Sequence, residues 1–228
     1  MDAQDGRVSV ALLWDLDGTL VDSAADIAAA VDDVLAERGL PPVGEARVRT
    51  FIGDGARQLI DRSFAAVGAA ATPADVDAFL ERYGSALVER TRVHPPDLPG
   101  LLARIRSPQA IVSNKPERHT RVILRALDLE RYLFVDASGR PVVLGGDSLP
   151  TRKPDPAMLV EAMRRVGATR GVIVGDGPAD VQAAVAADLP MIGVGWGIAT
   201  PVGAPVCVRD VIELERALLA AGVVVAPG

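Results

Sequence analysis

The sequence predicts an α/β protein, with a Rossmann-like parallel sheet core and an α-helical cap inserted after the first strand. Three observations predict it. Short apolar runs that stop abruptly at polar residues recur along the chain, segments with helical spacing separate them, and one long stretch carries helix signals without a strand. Strands covered on both faces read as near-continuous apolar runs, and their alternation with helices is the pattern of a parallel sheet.

The first run, residues 8–14, is rich in Val and Leu and ends at Asp15; it predicts a buried strand. From Ser23 to about Arg92 the signals are helical. Ser23 with Asp26 has the spacing of a capping box, and a helix over 24–38 then stops at Gly39. Residues 56–66 and 74–90 continue the pattern. The proline-rich stretch 94–100 reads as a stiff return linker. This predicts a core over 1–20 and 94–228 and a cap over 21–93. Further strands are predicted at 110–112, 172–174, 191–194 and 206–208, with helices at 118–127, 157–166 and 179–187. The last helix starts at Asp210, with Glu213 placed for a capping box, and stops at Gly222. Residues 223–228 form a short tail.

Composition bounds the function. The 228 residues are 49% apolar, ample for a packed core. A net charge of −6 argues against a nucleic-acid binder held by a basic surface. The single cysteine, Cys207, cannot form an internal disulfide, which fits a reducing compartment; its apolar neighbours predict buried filler. The acidic start lacks the basic opening of a secretory signal, and no apolar run reaches the length of a membrane span. The expectation is a soluble cytoplasmic monomer or homodimer with no nucleic-acid or membrane partner.

Four polar clusters follow predicted strands or the loops between them, and in open α/β sheets ligand sites gather outside the carboxyl ends of strands. The first is Asp15-Leu16-Asp17-Gly18-Thr19-Leu20. Residues i and i+2 of an extended chain face one side, so Asp15 and Asp17 share a site. Two close carboxylates suit an oxygen-liganded metal, or a nucleophile beside an acid/base. A solvated turn fits the cluster equally well by itself. The second, Ser113-Asn114-Lys115-Pro116, offers a hydroxyl, an amide and an ammonium, donors suited to a phosphoryl group; a helix cap with a solvated lysine is its bland reading. The third, Arg152-Lys153-Pro154-Asp155-Pro156, stiffens two cations between prolines; a loop lysine leading into a helix is the alternative. In the fourth, Gly175-Asp176-Gly177-Pro178-Ala179-Asp180, Asp176 ends a strand and Asp180 returns to the same side; an ordinary acidic helix start is the alternative.

In this order the clusters resemble the four motifs of the haloacid dehalogenase superfamily: Asp15-x-Asp17, Ser113, Lys153 and Gly175-Asp176-x-x-x-Asp180. The match spans nearly the whole chain, and the helical insert sits where that superfamily often carries a cap. The stretches Asp17-Gly18-Thr19-Leu20-Val21-Asp22-Ser23, Phe51-Ile52-Gly53-Asp54-Gly55-Ala56, Gly145-Gly146-Asp147-Ser148-Leu149-Pro150 and Val194-Gly195-Trp196-Gly197 narrow the resemblance to phosphoglycolate phosphatases and their relatives. Two departures stand out: Ser113 where threonine is commoner, and a longer segment over 134–143, where Ser138-Gly139 has the composition of a small hairpin turn.

The resemblance implies a Mg2+-dependent phosphatase acting on a small phosphorylated substrate such as 2-phosphoglycolate. Asp15 would be the nucleophile, Asp17 the acid/base, and Lys153 the catalytic cation. Ser113 and the backbone amide of Asn114 would grip phosphoryl oxygens. Mg2+ would be held by Asp15, the carbonyl of Asp17 and Asp176, with Asp180 supporting from behind. In the cap, Gly53, Gly55 and Arg57 are the candidates for a substrate-facing loop. His94 and His119 are read as structural or surface residues, Trp14 and Trp196 as packing. A dehalogenase would not need Asp17, and a silent binding protein would not need every motif residue; a sugar phosphomutase would use the same nucleophile. A dinucleotide enzyme is remote, because Gly193-x-Gly195-x-Gly197 lacks the full spacing.

Overall fold

The structure, a computed structural model, describes residues 10–228. In chain order, β1 (Val10–Trp14) leads through β2 (Val21–Asp22) to α1 (Ala24–Glu37), α2 (Glu45–Arg49), α3 (Ala56–Ala66), α4 (Pro73–Ser85) and β3 (Arg92–Val93). Then follow α5 (Leu98–Leu102), β4 (Gln109–Val112), α6 (Glu117–Ala126), β5 (Val143–Leu144), α7 (Ala157–Val166), β6 (Arg170–Gly175), α8 (Pro178–Ala186), β7 (Met191–Val194), β8 (Val206–Val208) and α9 (Val211–Ala220). The sheet has the order β5-β4-β1-β6-β7-β8, and every neighbouring pair is parallel. The chain steps outward from β1 to β4 and β5, then crosses to β6 and steps outward on the other side. That reversal is a topological switch point, where parallel sheets open a ligand crevice at their carboxyl ends. Because β4, β1 and β6 are neighbours, the residues that follow them, Ser113, Asp15 and Asp176, emerge side by side.

Alternation along the strands divides the core into two layers. Leu12, Trp14, Ile111, Val172, Val174, Ile192 and Val194 pack on one face with α5, α6 and α9, and this cluster runs on into Ile27, Val31, Phe64, Phe79 and Tyr83 of the helical insert. Ala11, Leu13, Ala110, Val112, Ile173 and Met191 pack on the other with α7 and α8. The Trp14 indole N–H is buried with the ring and donates to Gln109 Oε1 at 3.0 Å, which satisfies it. Trp196 packs half-buried, its indole donating to the Thr19 carbonyl.

The predicted parallel sheet is present. Its first strand is found from Val10; Val8 and Ser9 lie outside the described residues. The hairpin at Ser138-Gly139 is present too: Asp136 N–H donates to the Arg140 carbonyl, with Gly139 at φ +78°. The tail 223–228 is strapped to the loop before β4 through Arg106 N–H to the Val224 carbonyl and Ala226 N–H to the Arg104 carbonyl. Among the described residues, no helix is long and apolar enough to cross a membrane.

Several expectations are corrected. Ser23 and Asp26 do not form a capping box: the Ser23 hydroxyl donates to Asp17 Oδ1. Asp26 is buried, and accepts from the backbone N–H groups of Arg90 and Thr91 and from the Thr91 hydroxyl. α4 ends at Ser85 rather than near Arg90, and the Arg90 and Thr91 amides that a longer helix would use are claimed by Asp26 instead. The capping box of the insert is instead Thr72 with Asp75, at the start of α4. At α9, Asp210 caps the Glu213 N–H as expected, but the Glu213 side chain takes the Arg209 N–H. The insert opens and closes through an unpredicted antiparallel ribbon, β2 with β3. Cys207 is exposed rather than buried, because β8 is the sheet's edge strand.

Candidate active site

Asp15 follows β1 directly, its backbone N–H fixed on the Val174 carbonyl of β6 at 2.9 Å. Lys153 arrives from the loop before α7 and joins two carboxylates: its Nζ lies 2.9 Å from Asp15 Oδ1 and 2.6 Å from Asp180 Oδ1. The other Asp180 oxygen accepts the Gly177 N–H at 3.1 Å, the reach-back bond of a helix start. Asp176 accepts the Ala199 N–H at 2.8 Å. Gly18, at φ +81°, passes so close that a Cβ there would fall 2.1 Å from Asp176 Oδ2. Only glycine fits both that conformation and that approach.

One ligand oxygen each from Asp15, Asp176 and Asp180 lies within 4.8 Å of the others. Among the described residues, Lys153 is the lone ammonium bonded into this trio, so the centre is short of positive charge. Burial first, and then the neighbouring Asp180 and Asp176, push the Asp15 carboxyl up to about 7 against the pull of Lys153. Burial pushes Asp176 up to about 6, opposed by the Ala199 amide. For Lys153, burial alone would favour the neutral amine, but Asp15 and Asp180 outweigh it and hold it charged. Crowded carboxylates with all-oxygen donors and too little counter-charge suit a hard divalent cation. Asp15 and Asp176 have oxygens to offer it. Asp180, with both oxygens engaged, fits the supporting position.

Asp17 stands apart from the trio. Its Oδ1 is held by the Ser23 hydroxyl at 2.5 Å and by Lys115 Nζ at 2.9 Å. Two hollows meet at Asp15 and Asp17. An outer cleft of about 700 Å3 runs past Asp176, Asp180 and Lys153 to Arg62 of the insert. An inner cavity is lined by Ser113, Asn114, Gly53 and Gly55 and closed by α4. The Asn114 amide donates to the carbonyls of Gly53 (3.0 Å) and Lys153 (2.9 Å), so one side chain joins three segments of the site.

Of the sequence-predicted residues, Asp15, Asp17, Ser113, Asn114, Gly53, Gly55, Lys153, Asp176 and Asp180 lie along these two hollows. Arg57 does not. It is the second residue of α3, where Asp61 captures it at 2.8 Å, half exposed and outside both linings. The insert's cation at the outer cleft is Arg62, paired with Asp54 at 2.6 Å. Lys115, Tyr83 and His119 line the inner cavity and were not among the predicted site residues. Lys115 was legible as a donor beside Ser113, but its partner Tyr83 lies 32 residues earlier, in the insert.

Fold and site define an α/β protein with an acidic, lysine-bridged centre at the sheet's switch point. The chain belongs to the haloacid dehalogenase-like hydrolases, whose family model matches residues 12–194. A phosphoglycolate phosphatase of Xanthomonas campestris is 38% identical over 196 residues, covering 84% of this chain and 85% of its own. One from Pseudomonas fluorescens is 37% identical over 202 residues, covering 84% and 71%. The crystal structure of a predicted phosphoglycolate phosphatase from Haemophilus somnus superposes with a TM-score of 0.79 at 25% identity, covering 93% of this chain and 99% of that one.

Proposed function

We propose that this protein is a Mg2+-dependent phosphatase that passes through an aspartyl-phosphate on Asp15 and acts on a small phosphorylated metabolite of the 2-phosphoglycolate type. The observation that carries the reading is the position of Asp15: a carboxylate where both hollows meet, held by Lys153 on one oxygen and flanked by Asp17. Its other oxygen is the nucleophile toward phosphorus. Asp17 gives the proton that the leaving oxygen takes, then removes one from the water that cleaves the acyl phosphate. Ser113 and the backbone N–H of Asn114 hold phosphoryl oxygens, and Lys153 faces the charge that builds on them. Asp15, the Asp17 carbonyl and Asp176 would hold Mg2+, with Asp180 keeping Lys153 in place. The bound ion supplies neutralisation of the phosphoryl oxygens. The insert over 21–93 serves as the cap, its α4 closing the leaving-group side and keeping water out.

The kinship with phosphoglycolate phosphatases supports the substrate class. The test is phosphate release from a panel of phosphate esters, with EDTA and with Mg2+, for the native chain and Asp15→Asn. Mg2+-restored turnover that Asp15→Asn abolishes, with circular dichroism unchanged, is expected. Turnover retained by Asp15→Asn would overturn the nucleophile, and full activity in EDTA would overturn the metal.

A further inference from the structure

The inner cavity holds a group that the steps above do not use. Lys115 is almost wholly buried, its side chain 5% exposed. Its Nζ lies 2.9 Å from Asp17 Oδ1, donates to the Tyr83 hydroxyl at 2.7 Å, and sits 4.5 Å from the centroid of the Tyr83 ring. An ammonium carries three donors. Asp17 and Tyr83 take two, and among the described residues the third has no protein acceptor. Tyr83 is itself fixed, stacked on Phe79 at 5.6 Å and met edge-on by His119. The lysine is thus held from both sides, by the acid/base on the core and by a buried phenol on the cap.

The surroundings narrow what this donor meets. Asp17 protonates the leaving oxygen, so the space beyond it is the leaving-group side. That cavity measures about 50 Å3, room for roughly four water-sized groups at ~10–15 Å3 each. Its cap wall is Ile27, Ile52, Ala56, Leu59, Phe79 and Leu80, and among the described residues Lys115 is the one Lys or Arg in its lining. A sugar would strand several hydroxyls against that wall, and burial of unpaired polar groups is penalised. A short chain ending in one anion leaves nothing stranded: its methylene meets the apolar wall and its charge meets the ammonium.

We propose that Lys115 determines leaving-group specificity by pairing with a carboxylate, with Tyr83 as its positioning residue, so that the favoured substrates are phosphate esters of short 2-hydroxy acids. The inference rests on the phosphatase reading and deepens it. It moves recognition of the carboxylate from the cap surface, where Arg57 is engaged by Asp61, to a buried cation contributed by the core.

The test compares 2-phosphoglycolate with 2-hydroxyethyl phosphate, an ester of similar size whose leaving group carries no charge, in the native chain, Lys115→Met and Tyr83→Phe. A charge-assisted hydrogen bond is worth a factor of roughly 10 to 100. The preference for 2-phosphoglycolate in kcat/KM should therefore fall at least ~10-fold in Lys115→Met. Tyr83→Phe should lower it several-fold, through KM more than kcat, and the inhibition constant of glycolate should rise in step with each loss. Equal losses on both esters in Lys115→Met would overturn the inference, leaving the lysine as a partner of Asp17 alone. Should Lys115→Met fail to fold, unchanged KM and glycolate inhibition in Tyr83→Phe would overturn it as well. A native chain that cleaves both esters without preference sinks this inference but not the phosphatase reading; one that cleaves no phosphate ester with Mg2+ sinks both.

Discussion

Asp26 gives the sharpest test of how the two ends of the insert are fastened to each other. It is 4% exposed and accepts from Thr91 N–H at 2.8 Å, from the Thr91 hydroxyl at 2.7 Å and from Arg90 N–H at 3.0 Å. In Asp26→Ala the two Thr91 donors lose their acceptor inside a residue with no exposure, whereas Arg90 is exposed and finds water. Each orphaned buried donor costs about 1–3 kcal/mol, so the loss should be about 4 kcal/mol. Both Thr91 donors meet Asp26 Oδ2, so Asp26→Asn, with its carbonyl oxygen in that place, keeps both and should lose well under half of that. Loss of a helix cap, the role that the Ser23–Asp26 spacing suggests, costs only about 1 kcal/mol. Urea unfolding separates the two: at an m-value of ~2.5 kcal/mol per M the clamp predicts a midpoint lower by about 1.5 M, and the cap about 0.4 M. A shift at or below the smaller value, with m unchanged, would refute the clamp.

Two further outcomes are expected. Burial, with help from Arg118 and Lys115 and against Asp147, pushes His119 down to about 4, so the fold keeps it neutral. The unfolded chain protonates it near its ordinary 6.5, so its contribution is complete above that pH and is lost on acidification from 6.5 toward 4, by roughly 3 kcal/mol. Urea midpoints across that range should fall more steeply for the native chain than for His119→Leu; parallel curves would refute the assignment. Arg57→Ala removes an exposed i,i+4 ion pair, so unfolding should change by no more than ~0.5 kcal/mol and substrate preference should not move; a fall in preference for 2-phosphoglycolate would return Arg57 to the site.

What the sequence revealed follows the physics of burial. Central strands such as β1 and β6 are covered on both faces, so they appear as apolar runs whose ends fall at Asp15 and near Asp176. Those ends became the site because β4, β1 and β6 are adjacent. The elements missed were the strands β2, β3 and β5, of two residues each, and the helices α2 and α5, of five, all too short to carry a clear period; α5 begins inside the stretch 94–100 that reads as a linker. Ser23 and Asp26 show a different limit. Their spacing is that of a helix start, yet Asp17 and Thr91 bring partners of greater worth from elsewhere in the chain, and tertiary bonding overrides the local motif. Cys207 sits in an apolar run at the sheet's edge, where hydropathy says nothing of which side is covered. Lys115 was visible as a donor, but its role depends on Tyr83, and only folding brings the two together.

The central claim is that Asp15 forms a bond to phosphorus. Acid quench of the Mg2+-loaded enzyme within a single turnover of 2-phosphoglycolate, followed by peptide mass spectrometry, tests it most directly. The account predicts a phosphoryl group on the peptide that carries Asp15, absent in Asp15→Asn. Turnover that proceeds while no phosphorylated peptide accumulates at any quench time, or with the phosphoryl group on another residue, would contradict it.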